Sequence, residues 1–400
     1  MDFNDSPEEA TYRAKARAWL EAHARRRTDG GARGMAVADG SNLGEAKAWQ
    51  ALKADAGYAG ITIQAPYGAG GTPIEAVIYR QEEGQFEVPF GVYEIGLGMA
   101  IPTVIAHGSD AHRDRYVRKA LRGEEIWCQL FSEPAGGSDL AALRTKGVRD
   151  GDDWLVTGQK VWTSGAHYAD YGILLVRTDP SRPKHKGLTM FIVDMKAPGV
   201  EVRPIRTMAG SAEFNEVFFD NVRIPDSDRL GEAGNGWNVA ISTLMTERMQ
   251  AGMGFGFVSA HDVLRLARRY GQDDALITQR VADFWINDQA LKLLSYRAQT
   301  SLSQGGFPGP EQAVNKAIEA AQGQQAAYFC MDLLGAEGAL AAAEVGEHWA
   351  GVETSWMWAS AMRIAGGSDE ILRNIIAERV LGLPGDPRPD RNTPFNELKH

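Results

Sequence analysis

Hydrophobic positions change their spacing twice along the chain of 400 residues. Up to about residue 122 they recur with the period of a helix, and from about 125 to 230 they form short apolar and β-branched runs. From residue 236 to about 383 the helical period returns. This order predicts an α+β protein with an N-terminal helical domain, a middle domain resembling a β-barrel and a C-terminal helical bundle.

Capping signals predict where helices of the first region begin. Ser6 is followed by a proline and, three residues on, by Glu9, which is the pattern of a capping box. The same pattern recurs at Thr72, after a glycine-rich turn. Asp110 is the predicted cap of a further helix that ends near residue 123.

Turn residues divide the middle region into strands. Asp150-Gly151 lies between two extended runs and predicts a hairpin. Further strand-like runs are separated by proline, glycine and aspartate, and they begin at Trp154, Tyr171, Leu188 and Glu216. Several short strands at this spacing predict a small barrel or sandwich.

These changes of pattern also predict the domain boundaries. We expect the N-terminal helical domain at 1–124, the middle β domain at 125–232 and the C-terminal helical domain at 233–383. The proline-rich segment 384–400 is expected to be an irregular tail.

The charge balance excludes one class of partner. Lys and Arg number 42 against 52 Asp and Glu, so the net charge is −10. An acidic surface repels phosphates, so we predict no nucleic-acid binding. Nothing in the sequence predicts a metal site.

Cysteine content and hydropathy bear on the compartment. The two cysteines, Cys128 and Cys330, cannot build a disulfide framework and are expected to be buried thiols, which fits a reducing cytoplasm. The acidic N-terminus lacks the apolar run of a signal peptide. The apolar, uncharged stretch 95–106 is too short to cross a bilayer, so we expect a soluble, cytoplasmic protein with no membrane span.

The most informative segment, residues 128–139, reads CQLFSEPAGGSD. Four more segments follow at 158–165, 218–225, 236–240 and 366–374, reading GQKVWTSG, FFDNVRIP, GWNVA and GGSDEILRN. In type, order and rough spacing these segments resemble the acyl-CoA dehydrogenase family. The resemblance covers almost the whole chain.

The resemblance implies an FAD enzyme that removes an α-proton and a β-hydride from an acyl-CoA thioester, giving a trans-2-enoyl-CoA. It implies an electron-transferring flavoprotein as the electron acceptor. It also implies a homodimer or homotetramer, with a hetero-oligomer as the alternative.

The resemblance assigns contacts residue by residue. The implied FAD contacts are Gln129, Phe131, Ser132, Gly137, Ser138, Trp162, Thr163, Ser164, Ser368 and Glu370. The implied substrate contacts are Ser138, Arg248, Gly366 and Gly367. Within these sets Trp162 would pack on the isoalloxazine, Ser164 would lie near its N5 side, and the Gly366 N–H would hold the thioester oxygen.

The catalytic base departs from the commoner family pattern. Much of the family has a Glu where this chain has Gly366, whereas a second arrangement places the Glu on the long helix beside an Arg, matching Glu247-Arg248. Glu247 shares a helix face with Ala240 and Leu244. Spacing alone leaves open a helix salt bridge or a base in a dry pocket. With the resemblance added, we interpret Glu247 as the base.

A second departure concerns the assembly. The family usually carries an Arg-x-x-Phe-Gly loop that reaches the FAD of a neighbouring subunit, and here residues 268–274 read RRYGQDD. A homo-oligomer could hold the adenine end through Arg268 or Arg269. Alternatively, a related chain supplies the loop, or the chain is a non-catalytic or half-site subunit.

A flavin oxidase of the same fold is a further hypothesis. A base on the long helix favours branched or bulky acyl groups by family analogy.

Overall fold

The computed structural model describes residues 5–27, 38–251, 258–271, 274–303, 309–340, 351–388 and 390–398. Of the helical residues 247–251, 299 and 302–303 it describes the backbone only.

The N-terminal region is helical, as the period predicts. Its helices are α1 (Pro7–His23), α2 (Leu43–Asp55), α3 (Pro73–Glu83), α4 (Ile101–His107), α5 (Asp110–His112) and α6 (Arg118–Leu121). A π-helical turn, Gly96–Ala100, leads into α4, and a second, Arg113–Val117, joins α5 to α6. Two short strands, β1 (Arg25–Arg26) and β2 (Phe86–Glu87), pair antiparallel.

Both predicted capping boxes are present. The Ser6 hydroxyl accepts the Glu9 N–H, and the Thr72 hydroxyl accepts the N–H three residues on. The prediction for Asp110 is wrong by one residue, because Ser109 has the extended backbone of a cap and its hydroxyl accepts the His112 N–H. Asp110 is instead the first helical residue, where its charge favours the helix N-terminus.

The middle region forms one mixed sheet. Its strands are β3 (Trp127–Leu130), β4 (Lys146–Asp150), β5 (Asp153–Ser164), β6 (Tyr171–Arg177), β7 (Leu188–Asp194), β8 (Val200–Ile205), β9 (Phe214–Pro225) and β10 (Arg229–Leu230). Their order is β10-β7-β6-β4-β5-β9-β8, and β3 pairs parallel with β6. The hairpin predicted at Asp150-Gly151 joins β4 to β5.

Helices return in the C-terminal region. They are α7 (Gly236–Ala251), α8 (Ala260–Tyr270), α9 (Ala275–Ser303), α10 (Gln312–Leu334), α11 (Val352–Met362) and α12 (Asp369–Ile375), the last continuing into a π-helical turn, Ile376–Val380. The pair Gly366-Gly367 lies between α11 and α12.

The described part of the chain after residue 381 has no α-helix or strand, contains a 3₁₀ turn at Phe395–Glu397, and returns to the middle region. The Phe395 N–H donates to the Arg182 carbonyl oxygen at 2.9 Å. The Arg177 guanidinium lies 3.5 Å from the centre of the Phe395 ring. The helix, sheet, helix order confirms the predicted α+β class. No helix among the described residues has the length and apolar character that crossing a membrane requires.

The N-terminus of α7 lies directly on strand β7. A Cβ atom added at Gly236 would lie 2.6 Å from the Cα of Thr189, which is closer than van der Waals contact allows. We expect Gly236→Ala to push α7 off the sheet and to destabilise the protein by about 1–3 kcal/mol. The midpoint of thermal unfolding measures this effect.

Gly44→Ala is the matched control. Gly44 lies in α2 and has no neighbouring atom within 4 Å of an added Cβ, so alanine should be neutral or slightly stabilising. Equal midpoints for the two variants would contradict the predicted clash.

Candidate active site

The three regions of the chain meet in one buried cluster. It contains Ile101 and Val104 from α4, Ile173 and Met190 from the sheet, and Ala240 from α7, all essentially inaccessible to solvent. Because α7 packs on both other regions here, residues further along its buried face point into the junction between them.

The segment after β3 forms a tight, partly exposed loop at this junction. Phe131 is buried and Ser132 half-buried, whereas Gly137 and Ser138 are exposed. The Glu133 N–H donates to the Gly136 carbonyl at 3.1 Å, and the return bond is 3.0 Å. The loop is thus closed at its base and presents small residues outward.

The end of β5 lies beside this loop. The Val161 N–H donates to the Ser132 carbonyl oxygen at 2.9 Å. The pairing of β5 with β9 is irregular between Lys160 and Thr163, and Trp162 adopts φ 60°. This bulge turns the Trp162 indole outward, so the side chain is 59% exposed although its neighbours are in a sheet.

A buried ion pair joins the two segments. The Lys160 ammonium donates to Glu133 Oε1 at 2.8 Å and to the Phe131 carbonyl oxygen at 3.0 Å. The same carboxylate accepts the backbone N–H groups of Arg144 at 2.6 Å and Thr145 at 2.9 Å. Lys160 is 0% exposed and Glu133 7%. A charge at such depth is stable only when it is paired and hydrogen-bonded.

Burial and pairing act differently on the two groups. Burial lowers the pKa of Lys160 to about 8, although Glu133 favours its charged form. Burial by itself would raise the pKa of Glu133, but Lys160 and the hydrogen bonds from Thr145 and Arg144 hold that pKa below its usual range. Both groups are therefore charged at neutral pH, and the loop after β3 is tied to β5.

The turn between α11 and α12 offers free hydrogen-bond donors. Gly366 and Gly367 have φ 67° and 104°, values that glycine adopts without strain. Their N–H groups donate to no acceptor among the described residues. Ser368 caps α12 by accepting the Ile371 N–H, and Glu370 is exposed beside it.

Helix α7 is fixed to α4 by two hydrogen bonds. The hydroxyls of Thr103 and Thr243, both buried, lie 2.8 Å apart. His107 Nε2 and the Ser242 hydroxyl lie 2.9 Å apart. Position 247 is one helical turn after Thr243, on the same face of α7. The side chains of Glu247 and Arg248 lie outside the described residues.

These residues fit a flavin dinucleotide. The exposed Trp162 indole is a large apolar surface that an aromatic ring system would cover. The neighbouring Thr163 hydroxyl is buried without a hydrogen-bond partner. The exposed backbone at Gly137 and Ser138 allows close approach of a polar ligand.

Comparison with known proteins agrees with this geometry. Models of the acyl-CoA dehydrogenase N-terminal, middle and C-terminal domains match residues 6–124, 128–222 and 234–381. The chain belongs to the acyl-CoA dehydrogenase family. The match confirms the family that the sequence motifs predicted. Members of this family bind a flavin.

Individual relatives extend the comparison. Acyl-CoA dehydrogenase FadE34 of Mycobacterium tuberculosis is 40% identical over 351 residues, which are 87% of this chain and 48% of FadE34. The chain therefore spans about half the length of that relative. Acyl-CoA dehydrogenase IpdE1 of the same organism is 35% identical over 349 residues, covering 86% of this chain and 89% of IpdE1.

Solved structures share the fold. The steroid acyl-CoA dehydrogenase Tcur3481–Tcur3483 superposes with a TM-score of 0.82 at 27% identity, covering 96% of this chain and 100% of that one. The ChsE4–ChsE5 complex of Mycobacterium tuberculosis superposes with a TM-score of 0.75 at 25% identity, with the same coverage.

Sequence reasoning overlooked the residues that support this site. Glu133 lies in the motif at 128–139 and Lys160 in the motif at 158–165, and no role was predicted for either. Their opposite charges within these segments could have indicated a buried ion pair. Lys316, which lies buried behind the turn at 366–367, stands in a helix rich in alanine and glutamine. Its role could not be inferred without the contacts.

The Lys160–Glu133 pair predicts strong coupling between the two segments. Glu133→Gln leaves a buried ammonium without its carboxylate, and Lys160→Met leaves a buried carboxylate without its ammonium. Each should cost about 3–5 kcal/mol, and the double variant much less than the sum. Thermal midpoints of the four proteins form the cycle.

The stability of the protein at low pH tests the same ion pair. Because the pKa of Glu133 is lower in the folded protein than its ordinary value of 4.5, its stabilising effect is present above about pH 4.5 and is lost as the pH falls below it. Glu133→Gln should flatten that part of the pH profile. Additive single-variant effects together with an unchanged acid profile would show that the pair is not coupled.

Proposed function

We propose that the chain catalyses α,β-dehydrogenation of an acyl-CoA thioester to a trans-2-enoyl-CoA, with FAD as cofactor. The observation that carries the proposal is the turn at Gly366-Gly367. It has no carboxylate, and its N–H groups are free to donate to a thioester oxygen. The base must therefore come from elsewhere, and position 247, one helical turn after the buried Thr243 in α7, is available.

In this reaction the residues of the chain would have the following roles. The N–H groups of Gly366 and Gly367 bind the thioester carbonyl oxygen and stabilise charge that develops there. The Glu247 carboxylate takes the α-proton, and Arg248 binds on the substrate side. Ser138, at the exposed end of the loop after β3, contacts the CoA moiety as well as the cofactor.

FAD would be held by residues of three segments. They are Gln129, Phe131, Ser132, Gly137 and Ser138; Trp162, Thr163 and Ser164; and Ser368 and Glu370. When bound, FAD supplies the acceptor for the β-hydride, and an electron-transferring flavoprotein would then reoxidise it.

The acyl group is proposed to be bulky. A base on the long helix leaves the position at residue 366 without a side chain, which frees room beside the thioester. The steroid acyl-CoA dehydrogenase among the structural neighbours supports a branched or ring-bearing acyl group.

Glu247→Gln tests the base. The amide keeps the size of the side chain but cannot accept the α-proton, so the variant should retain its fold and its yellow colour. We expect flavin bleaching by a good acyl-CoA substrate to slow by about 10²–10⁴-fold. Stopped-flow absorbance of the flavin measures the rate.

Glu45→Gln is the control, because it makes the same chemical change on the exposed face of α2. It should bleach at the rate of the unaltered protein. If Glu247→Gln also bleaches at that rate, Glu247 is not the base.

The assembly is proposed to contain a second, related chain. Residues 268–274, which follow and include the end of α8, read RRYGQDD and depart from the Arg-x-x-Phe-Gly pattern. Sequence alone favours a homo-oligomer, but the two-chain neighbours Tcur3481–Tcur3483 and ChsE4–ChsE5 favour a hetero-oligomer. FadE34, about twice as long as this chain, has room for a second unit of this size.

Flavin stoichiometry decides between the two arrangements. Expressed alone, the chain should bind less than one FAD per chain, because the adenine end lacks its cover. Co-expression with a related dehydrogenase chain should restore the colour. The FAD-to-chain ratio and the mass in solution are the measurements. One FAD per chain in a stable dimer or tetramer of this chain alone would exclude the partner and make Arg268 and Arg269, both exposed at the end of α8, the groups to test.

A further inference from the structure

A buried lysine lies behind the turn that carries Gly366 and Gly367. Lys316 is in α10 and is 4% exposed. Its ammonium donates to the carbonyl oxygens of Met362 and Gly367, each at 2.8 Å. An ammonium has three N–H donors and no acceptor, so it can hold several carbonyls at once.

The two carbonyls stand on opposite sides of the turn. Met362 is the last residue of α11, where helix carbonyls lack an intrahelical donor, and Gly367 directly precedes the cap of α12. Lys316 therefore joins the end of one helix to the start of the next.

A second contact closes the turn from the other side. Arg363 Nε donates to Asp369 Oδ2 at 2.7 Å, and the Asp369 N–H donates to the Arg363 carbonyl at 3.2 Å. The Lys316 charge also acts on Asp369, which is 8% exposed. Arg363 also donates to the Gln324 side chain of α10 at 2.8 Å, whereas the Ile364 side chain is 69% exposed.

Burying the Lys316 ammonium costs free energy unless its N–H groups make well-placed hydrogen bonds. A buried charge loses hydration, and an apolar side chain of similar length is often at least as stabilising. An apolar side chain would fill the space but could not bind the two carbonyls. Two successive glycines with positive φ also have an unusually wide choice of conformations, which the ammonium restricts.

We propose that Lys316 is a positioning residue for the thioester carbonyl. By holding Met362 and Gly367 it fixes the turn so that the N–H groups of Gly366 and Gly367 converge on one oxygen. The inference rests on the proposed function, in which these N–H groups bind the thioester.

Lys316→Met tests the proposal, because it keeps the length of the side chain and removes the donors. Displacing a pair of oxyanion donors should lower kcat by about 10–10³-fold, with KM for the acyl-CoA within about twofold, since the CoA moiety binds elsewhere. Lys316→Arg keeps charge and donors and should recover part of kcat. Lys292→Met, on an exposed face of α9, is the matched control and should change neither constant.

A second readout does not depend on turnover. A 3-aryl-2-enoyl-CoA absorbs further to the red when its carbonyl oxygen accepts hydrogen bonds, and it cannot be dehydrogenated again. The red shift on binding should be present in the unaltered protein and in Glu247→Gln. In Lys316→Met it should be at most half as large, with flavin content unchanged.

The outcomes separate the inference from the proposed function. If no acyl-CoA bleaches the flavin-loaded protein, co-expressed with the related chain where FAD binding requires it, the proposed function fails; if bleaching occurs and Lys316→Met in the same assembly keeps both its kcat and its red shift, the inference fails. Loss of kcat only in proportion to lost flavin would also overturn it. Should Lys316→Met not fold, Arg363→Gln opens the turn from its partly exposed side and must reduce the red shift, or the inference is wrong.

Discussion

The buried pair of Lys160 and Glu133 is the constraint on which the flavin side of the molecule depends. The loop after β3 and the end of β5 are far apart in sequence, and each carries a charge that cannot remain unpaired at that depth. Because the Glu133 carboxylate also binds two backbone N–H groups before β4, one side chain sets the relative position of three chain segments. The bulge at Trp162 and the tight loop at 133–136 can then be exposed without losing their shape.

The turn at 366–367 is built on the same principle. There too a buried lysine from a regular element binds carbonyl oxygens of a loop that must stay open to a ligand. In both places the regular element supplies a donor with several hydrogen atoms: Lys160 binds the Phe131 carbonyl and the Glu133 carboxylate, and Lys316 binds the Met362 and Gly367 carbonyls. A loop that binds a ligand stays partly exposed, so hydrophobic packing cannot hold it on all sides. In these two loops hydrogen bonds from a buried lysine supply part of that support.

Under the proposed function, glycine at position 366 means that the base and the N–H groups that bind the thioester are on different elements. A turn that carried the base would have to fix a side chain as well as its N–H groups, whereas this turn has only N–H groups to orient. In the proposed function the carboxylate stands on α7, a helix whose position is fixed by the Thr103–Thr243 and His107–Ser242 contacts with α4 and by the cluster where all three regions meet. A helix that is packed on two sides is a more rigid support for a proton acceptor than an exposed turn.

The sequence by itself determined the order of regions, the capping boxes at Ser6 and Thr72, the hairpin at Asp150-Gly151 and the motifs that indicate the family. These features follow from spacing and local chemistry over a few residues. Its one-residue error at Asp110 arose because two neighbouring residues can both cap a helix, and only the backbone conformation of Ser109 distinguishes them. The tertiary structure alone decided the parallel pairing of β3 with β6, the outward turn of Trp162, and which carbonyls Lys160 and Lys316 bind. Those contacts join residues that are distant in sequence, and no local pattern specifies a distant partner before the chain has folded.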